Sequence, residues 1–285
     1  MSSTPKTFFI TGVSTGLGRA FATGALAAGH TVVGTVRRQS DVDAFVALDP
    51  ARAHARILDV TDDAAVTATV ADVEAAISPI DVLIVNAGYG HEGILEESTM
   101  DELRRQFDVN VFGAVATIKA VLPGMRERRS GHIFTVTSMG GLTTFPGLAF
   151  YHGSKYALEG ITETLAKEVA GFGVHVTAIE PGGFRTDWAG RSMVRAERSI
   201  ADYDELFGPV RANREAGSGR QLGDPEKAAA AILQVIDAPQ PPVHLLLGSD
   251  ALRLVGRGRE AVDEDFRTWD ALSRSTDFPD GAQIR

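Results

Sequence analysis

Tyr151 and Lys155 stand four residues apart, and Ser138 lies thirteen residues before the tyrosine, in the run Thr137-Ser138-Met139-Gly140-Gly141. A helix stacks residues i and i+4 on one face, which would set the phenol beside the ammonium. A phenol with an ordinary pKa near 10 is a poor acid or base at neutral pH. A cation about 4 Å away is worth roughly 4 kcal/mol at an effective dielectric of 20, or about three pKa units before screening. The expectation is that Lys155 brings the Tyr151 phenol close to working pH, while the Ser138 hydroxyl holds a carbonyl oxygen. The bland alternative is an exposed helix carrying an incidental tyrosine and lysine.

Such a trio needs a partner and a scaffold. Near the N-terminus, Thr11-Gly12-Val13-Ser14-Thr15-Gly16-Leu17-Gly18 follows the apolar run Thr7-Phe8-Phe9-Ile10 and precedes an Ala/Leu-rich stretch ending at Gly29. Strand, glycine loop and helix in that order suit a dinucleotide site. Gly12 permits the tight turn, and Gly16 and Gly18 let a pyrophosphate and the neighbouring strand approach the helix start. The helix N-terminus then offers free N–H groups to the phosphates. A glycine-rich turn that merely joins strand to helix is the competing reading.

Further strand signals recur at Val32-Val33-Gly34-Thr35-Val36, Ala55-Arg56-Ile57-Leu58, Val82-Leu83-Ile84-Val85, Ile133-Phe134-Thr135-Val136 and Val174 to Ile179. These runs are nearly continuous in apolar and β-branched residues, as strands buried on both faces of a parallel sheet must be. Between them lie helical segments at about 41–48, 62–77, 100–128 and 150–172, one opening on the capping box Thr99-x-x-Glu102. Asp224-Pro225 supplies an N-cap and a proline at the first helical position of another, and Val243 to Leu247 reads as a final strand. Repeated β-α units predict an α/β fold, a doubly wound, mostly parallel, seven-stranded sheet with helices on both faces. The chain is read as a single domain over 1–285, with a C-terminal helical extension at 250–285.

Composition agrees. With 285 residues and 44% hydrophobic content, the chain can bury a substantial core. No apolar run reaches 18 residues and no charged-then-apolar leader opens the chain, so a soluble cytoplasmic protein is expected, with no membrane partner. Zero cysteines exclude disulfides, Cys-ligated metals and thiol catalysis. The net charge of −9 argues against a nucleic-acid partner. The histidines offer no local metal-ligand spacing, and none is assigned a role or a metal.

The motifs together resemble the short-chain dehydrogenase/reductase family, in its compact single-domain Rossmann branch, from about Lys6 to Asp250. The glycine motif falls at Thr11 to Gly18, the Asn-Ala-Gly segment at Asn86-Ala87-Gly88, and the Pro-Gly segment at Pro181-Gly182 with Thr186. The resemblance implies catalytic roles for Asn110, Ser138, Tyr151 and Lys155. It implies cofactor binding by Gly12, Ser14, Thr15, Gly16, Leu17, Gly18, Asp59, Val60, Asn86, Ala87, Gly88, Tyr151, Lys155, Pro181, Gly182 and Thr186. The implied reaction interconverts a carbonyl and a secondary alcohol by direct hydride transfer, without metal. By resemblance, Asn110 bends its helix and holds a water linking Lys155 to solvent; a buried Asn satisfied by backbone is the alternative. Asp59 matches an adenine contact, against a simple helix cap. Relatives pair through the helices corresponding to 100–128 and 150–172, which implies a homodimer or homotetramer.

The second strand ends Thr35-Val36-Arg37-Arg38, with Val36 where NAD-preferring relatives carry Asp. Arg37 can grip a 2′-phosphate, and no carboxylate is evident nearby, so NADP(H) is preferred and NAD(H) allowed. The resemblance implies a substrate-lid insertion at 187–222, within which Ile200, Tyr203, Phe207 and Val210 recur at helical intervals; they either cover the core or face an apolar substrate. Two other classes share these features. A regulator would bind NADP on the same fold without chemistry, and a sugar-nucleotide epimerase would also use Tyr-x-x-x-Lys.

Overall fold

Each of the apolar runs becomes a strand in the computed structural model, which describes residues 4–278 and Gly281. The chain opens with β1 (Thr7–Ile10), α1 (Gly16–Ala27), β2 (Thr31–Val36), α2 (Gln39–Val46), β3 (Ala53–Ile57), α3 (Asp63–Ala76) and β4 (Val82–Val85). A short β5 (Gly90–Glu92) leads to α4 (Met100–Phe107), a π-helical turn (Asp108–Phe112) and α5 (Gly113–Arg128). Then come β6 (Gly131–Val136), α6 (Ala149–Val169), β7 (Val174–Pro181), β8 (Met193–Arg195), α7 (Asp204–Ala216), α8 (Pro225–Ile236), β9 (His244–Leu247) and α9 (Ser249–Arg274).

One sheet has the order β3-β2-β1-β4-β6-β7-β9, every neighbouring pair parallel; β5 and β8 form a separate parallel pair. Strand order reverses between β1 and β4. In doubly wound sheets the crevice beyond the strand C-termini at that reversal is where ligands bind. Alternation along β1 divides the core: Phe8 and Ile10 face Phe21, Phe45 and Ile232 on one side, while Phe9 faces Val70, Leu83 and Ile118 on the other. Burying each large apolar side chain contributes about 1.5–3 kcal/mol, which fixes the register of the central strand.

Local signals hold at the helix starts. Thr99 and Glu102 make both hydrogen bonds of the capping box, and Asp224 caps α8 by accepting from the Glu226 N–H. Asp62, rather than Asp59, caps α3. The helix expected at 41–48 begins and ends two residues earlier, because the extended backbone at Arg38 already serves as its N-cap. The helix expected over 100–128 is broken at Asp108–Phe112 by the π turn, which contains the weak helix former Asn110. By length and composition Met100–Arg128 could cross a membrane, yet Ala114, Ile118, Val121 and Met125 are buried against the sheet.

The C-terminal extension is helical through Arg274, and α9 buries only Ala251 and Val255. Beyond Arg259 every described side chain is exposed, including Phe266 (69%), Trp269 (59%) and Leu272 (60%). Positions 279, 280 and 282–285 of the extension, and 1–3 at the other end, lie outside the described residues.

Candidate active site

A cavity of about 1540 Å³ occupies the crevice at the strand-order reversal. Its walls gather residues from the whole first half of the chain and beyond. They include Gly12, Ser14, Thr15, Gly16 and Leu17 from the glycine loop, with Arg37, Asp59 and Val60 after β2 and β3. Asn86, Ala87 and Gly88 follow β4, and Pro181, Gly182 and Thr186 follow β7. Ser138, Tyr151 and Lys155 line the same space. Gly18 and Asn110 do not: both lie behind the wall.

The glycine loop is laced to the end of β4 by two side chains, Asn86 and Thr11. The Asn86 amide donates to the carbonyls of Thr11 and Gly12, both at 2.9 Å, and the Thr11 hydroxyl accepts from the Asn86 and Ala87 N–H groups. Gly12 and Gly16 have φ of +74° and +64°, which L side chains rarely adopt. A Cβ on Gly18 would lie 2.3 Å from both Asn86 Nδ2 and the Gly12 carbonyl oxygen, so this glycine permits the lacing rather than touching a ligand. Thr15 precedes α1 without a side-chain cap bond, and no acidic residue occupies the first turn. The N–H groups of the first turn therefore have neither a side-chain partner nor a repelling carboxylate, and residues 12–17 form a cradle suited to a pyrophosphate.

Tyr151 and Lys155 sit on α6, each only 6% exposed, and Ser138 opens the turn after β6. Lys155 Nζ donates to the Val136 carbonyl at 2.8 Å and lies 5.7 Å from the Tyr151 ring centroid. Burial pushes Tyr151 up to about 12, with its hydrogen bond to Ser138 opposing. Burial also pulls Lys155 down to about 8, against the pull of the Glu159 carboxylate. The expected acidification of Tyr151 by Lys155 is thus overturned in the free protein. Removing both groups from water outweighs their mutual effect, and no lowering by Lys155 remains. At neutral pH Tyr151 holds its proton.

Asn110 is 1% exposed. Its carbonyl accepts from Tyr89 N–H at 3.1 Å, and its amide donates to the Tyr89 carbonyl and the Ser154 hydroxyl, both at 3.1 Å. Ser154 in turn donates to the Tyr151 carbonyl at 2.7 Å. The side chain is satisfied chiefly by backbone, and it ties the π turn to α6. His152 proved more important than its scattered sequence context suggested. Its Nε2 accepts from Phe145 N–H at 2.9 Å, so Nδ1 must carry the proton donated to the Gly140 carbonyl at 2.7 Å. This neutral tautomer braces the Ser138–Phe145 loop against α6, and burial holds its pKa below the ordinary value.

At the far end of the cavity, Arg38 makes a double hydrogen bond to Asp41, both at 3.0 Å. The expectation of no nearby carboxylate is therefore corrected: Asp41 lines the cavity beside Arg37 and Arg38. It was missed because the i,i+3 pairing is set by the first turn of α2. Arg37 makes no hydrogen bond or ion pair among the described residues. Asp59 accepts from the Thr61 N–H and hydroxyl, which fixes its carboxylate at the cavity wall.

The 187–222 segment closes one side. Buried Glu92 binds Arg195 and Arg211, each at 3.3 Å, and Arg214; Glu97 binds Arg198 at 2.8 Å and the Ser199 and Ile200 N–H groups at 2.7 Å. Trp188 lies 5.1 Å from Tyr151, ring centroid to ring centroid. Phe207 is buried against Gly147, where it covers the fold, whereas Val210 lines the cavity. Phe145, Leu148, Trp188 and Val194 complete an apolar wall near Tyr151, and Leu254 is the contribution of α9.

Comparison with known proteins agrees with this geometry. The family described as short chain dehydrogenase matches residues 6–195. An oxidoreductase of Botryotinia fuckeliana, BOA17, is 38% identical over 269 residues, covering 94% of this chain and 98% of that protein. A short-chain dehydrogenase from Streptomyces avermitilis superposes with a TM-score of 0.90 at 42% identity, covering 96% of this chain and 100% of that one. A short-chain dehydrogenase/reductase from Burkholderia phymatum, solved with NAD, shares the fold at 24% identity and a TM-score of 0.81, covering 93% of this chain and 96% of that one. The chain belongs to the short-chain dehydrogenase/reductase family of NAD(P)-binding oxidoreductases.

Proposed function

We propose that this protein is an NADP(H)-dependent carbonyl reductase and alcohol dehydrogenase. The observation that carries the reading is the convergence of buried Ser138, Tyr151 and Lys155 in one cavity with the glycine loop. A bound nicotinamide supplies or accepts the hydride directly at the substrate carbon. Ser138 donates a hydrogen bond to the substrate oxygen. Tyr151, which keeps its proton at neutral pH, transfers that proton to the oxygen as negative charge develops there. Lys155 then stabilises the phenolate, and Asn110 and His152 hold the surrounding loop and helix in place.

Arg37 supports NADP(H), since its guanidinium matches a 2′-phosphate and makes no hydrogen bond or ion pair among the described residues, although the Asp59 carboxylate lies within its electrostatic reach. The Asp41–Arg38 pair tempers that preference. The apolar wall of Phe145, Leu148, Trp188, Val194 and Val210 supports a bulky, largely apolar carbonyl under a lid at 187–222. The exposed stripe of Phe266, Trp269 and Leu272 supports self-association into a homodimer or homotetramer, which light scattering on the purified chain would test. We place the protein in the cytoplasm, with neither nucleic acid nor membrane as partner; cell fractionation would test this. The functional test is consumption of NADPH and of NADH against ketones and aldehydes graded by size and polarity. Turnover with NADPH on bulky apolar carbonyls supports the reading. NADPH binding without turnover across the panel supports a regulator instead.

A further inference from the structure

Behind Lys155, three side chains from separate elements converge: Glu159 on α6, Glu180 on β7 and His244 at the start of β9. One ligand atom from each lies within 4.8 Å of the other two. His244 Nδ1 is 2.7 Å from Glu180 Oε1 and 3.8 Å from Glu159 Oε2. Glu180 is fully buried and Glu159 is 6% exposed. Both oxygens of Glu159 and Oε2 of Glu180 are buried without a hydrogen-bond partner. Thr137 lies beside Glu159, but its hydroxyl proton is committed to the Ile179 carbonyl at 2.9 Å.

A buried acceptor without a donor costs about 1–3 kcal/mol, and an unpaired carboxylate more. One proton shared between the two carboxyl groups would satisfy at most two of the three orphaned oxygens. A divalent cation held by one oxygen of each glutamate would offset both negative charges, where a shared proton offsets only one. We propose that Glu159, Glu180 and His244 form a binding site for a divalent transition metal, with Zn²⁺ the ion that best suits one imidazole and two carboxylates. Zinc bonds of about 2.0–2.2 Å at tetrahedral angles place donors roughly 3.3 Å apart. The separations of 2.7 and 3.8 Å bracket that spacing, so side-chain shifts of well under 1 Å complete the site. The His244 side chain is 37% exposed, giving the ion access and leaving room for a water ligand. Lys155 and Arg259 are the cations facing the two glutamates. They offset part of the acidic charge without supplying a hydrogen bond to the orphaned oxygens.

None of the three residues lines the cavity, so the site acts structurally. It ties the edge strand β9 to α6 and to the strand that ends at Pro181, and its test by metal binding and Tm does not depend on the redox reading. The test is calorimetric titration of the full chain with ZnCl₂ after dialysis against a chelator, with Co²⁺ as a visible-absorption probe. The expected result is one Zn²⁺ per chain, d–d absorption from bound Co²⁺, and a Tm that rises with Zn²⁺. Glu159→Gln and His244→Ala should each weaken binding at least tenfold and abolish the Tm rise. Should Glu159→Gln fail to fold, His244→Ala at its half-exposed position decides the matter. Absence of stoichiometric binding by the unaltered chain, or undiminished binding by a folded variant, overturns the proposal.

Discussion

Gly18→Ala pits two opposed effects against each other. Gly18 lies within α1, and alanine in a helix interior is favoured over glycine by about 1 kcal/mol. If Gly18 were only a helix residue, the substitution would raise Tm. The new Cβ, however, would sit 2.3 Å from Asn86 Nδ2 and 2.3 Å from the Gly12 carbonyl oxygen, more than 1 Å inside van der Waals contact. The carbonyl belongs to the backbone of the tight turn and cannot move without moving the loop. Relief requires Asn86 to leave, which forfeits its two 2.9 Å hydrogen bonds to the loop, each worth about 1 kcal/mol. With the steric strain added, about 2–3 kcal/mol is lost from the loop geometry that receives the pyrophosphate. Since 1.4 kcal/mol is a factor of ten, the Kd for NADPH should rise about 30- to 140-fold. Fluorescence titration with NADPH, alongside thermal unfolding, measures both effects. A raised Tm with unchanged Kd would refute the account of how the glycine loop is held.

Other substitutions and conditions probe the rest of the site. Arg37→Ala should weaken NADPH binding about tenfold or more while leaving NADH binding within about twofold, because only the phosphate contact is charge-assisted. Asp41→Asn should strengthen NADPH binding by about two- to fivefold by releasing exposed Arg38. Equal effects on both cofactors, by titration, would remove the 2′-phosphate from this corner. Lys155, with its pKa near 8, should lose its charge in mildly alkaline solution, so reductive kcat should fall with pH above about 8. A profile flat to pH 10 would contradict that role. His132 is buried, stacked on Phe134, and held down to about 3 by burial. The unfolded chain takes up this proton below about 6.5, so folding stability is lost as pH falls from there towards 3. The loss attributable to His132 should reach about 3 kcal/mol by pH 4, and urea unfolding of His132→Phe should show a correspondingly shallower acid dependence.

What the sequence made legible was whatever depends on neighbours along the chain. The capping box at Thr99 and Glu102, the Asp224-Pro225 helix start and the strand runs are decided within a few residues, and the structure has them. The cavity-lining motifs were legible because the strand ends carry them to one edge of a parallel sheet. The rest depends on residues far apart in sequence. Asn86 laces a loop formed more than sixty residues earlier, and His152 braces a loop by hydrogen bonds that a helical pattern does not reveal. The direction of the Tyr151 shift needs its burial beneath Trp188, whereas the sequence shows only the lysine one turn away. Glu159, Glu180 and His244 sit on three separate elements, so no local spacing could join them. Asp41 is the near miss: along the sequence no carboxylate is evident beside Arg37 and Arg38, and the first turn of α2 brings Asp41 onto Arg38.

The most direct test of the account is single-turnover oxidation of bound NADPH by a carbonyl substrate in Tyr151→Phe beside the unaltered chain. Phenylalanine preserves the ring packed against Trp188 and removes the hydroxyl that carries the transferable proton. NADPH affinity within about twofold, with the rate reduced at least 10³-fold, is the expected result. A folded variant that binds NADPH normally and keeps more than a few per cent of the rate would show that the proton comes from elsewhere, and that Tyr151 is not the acid.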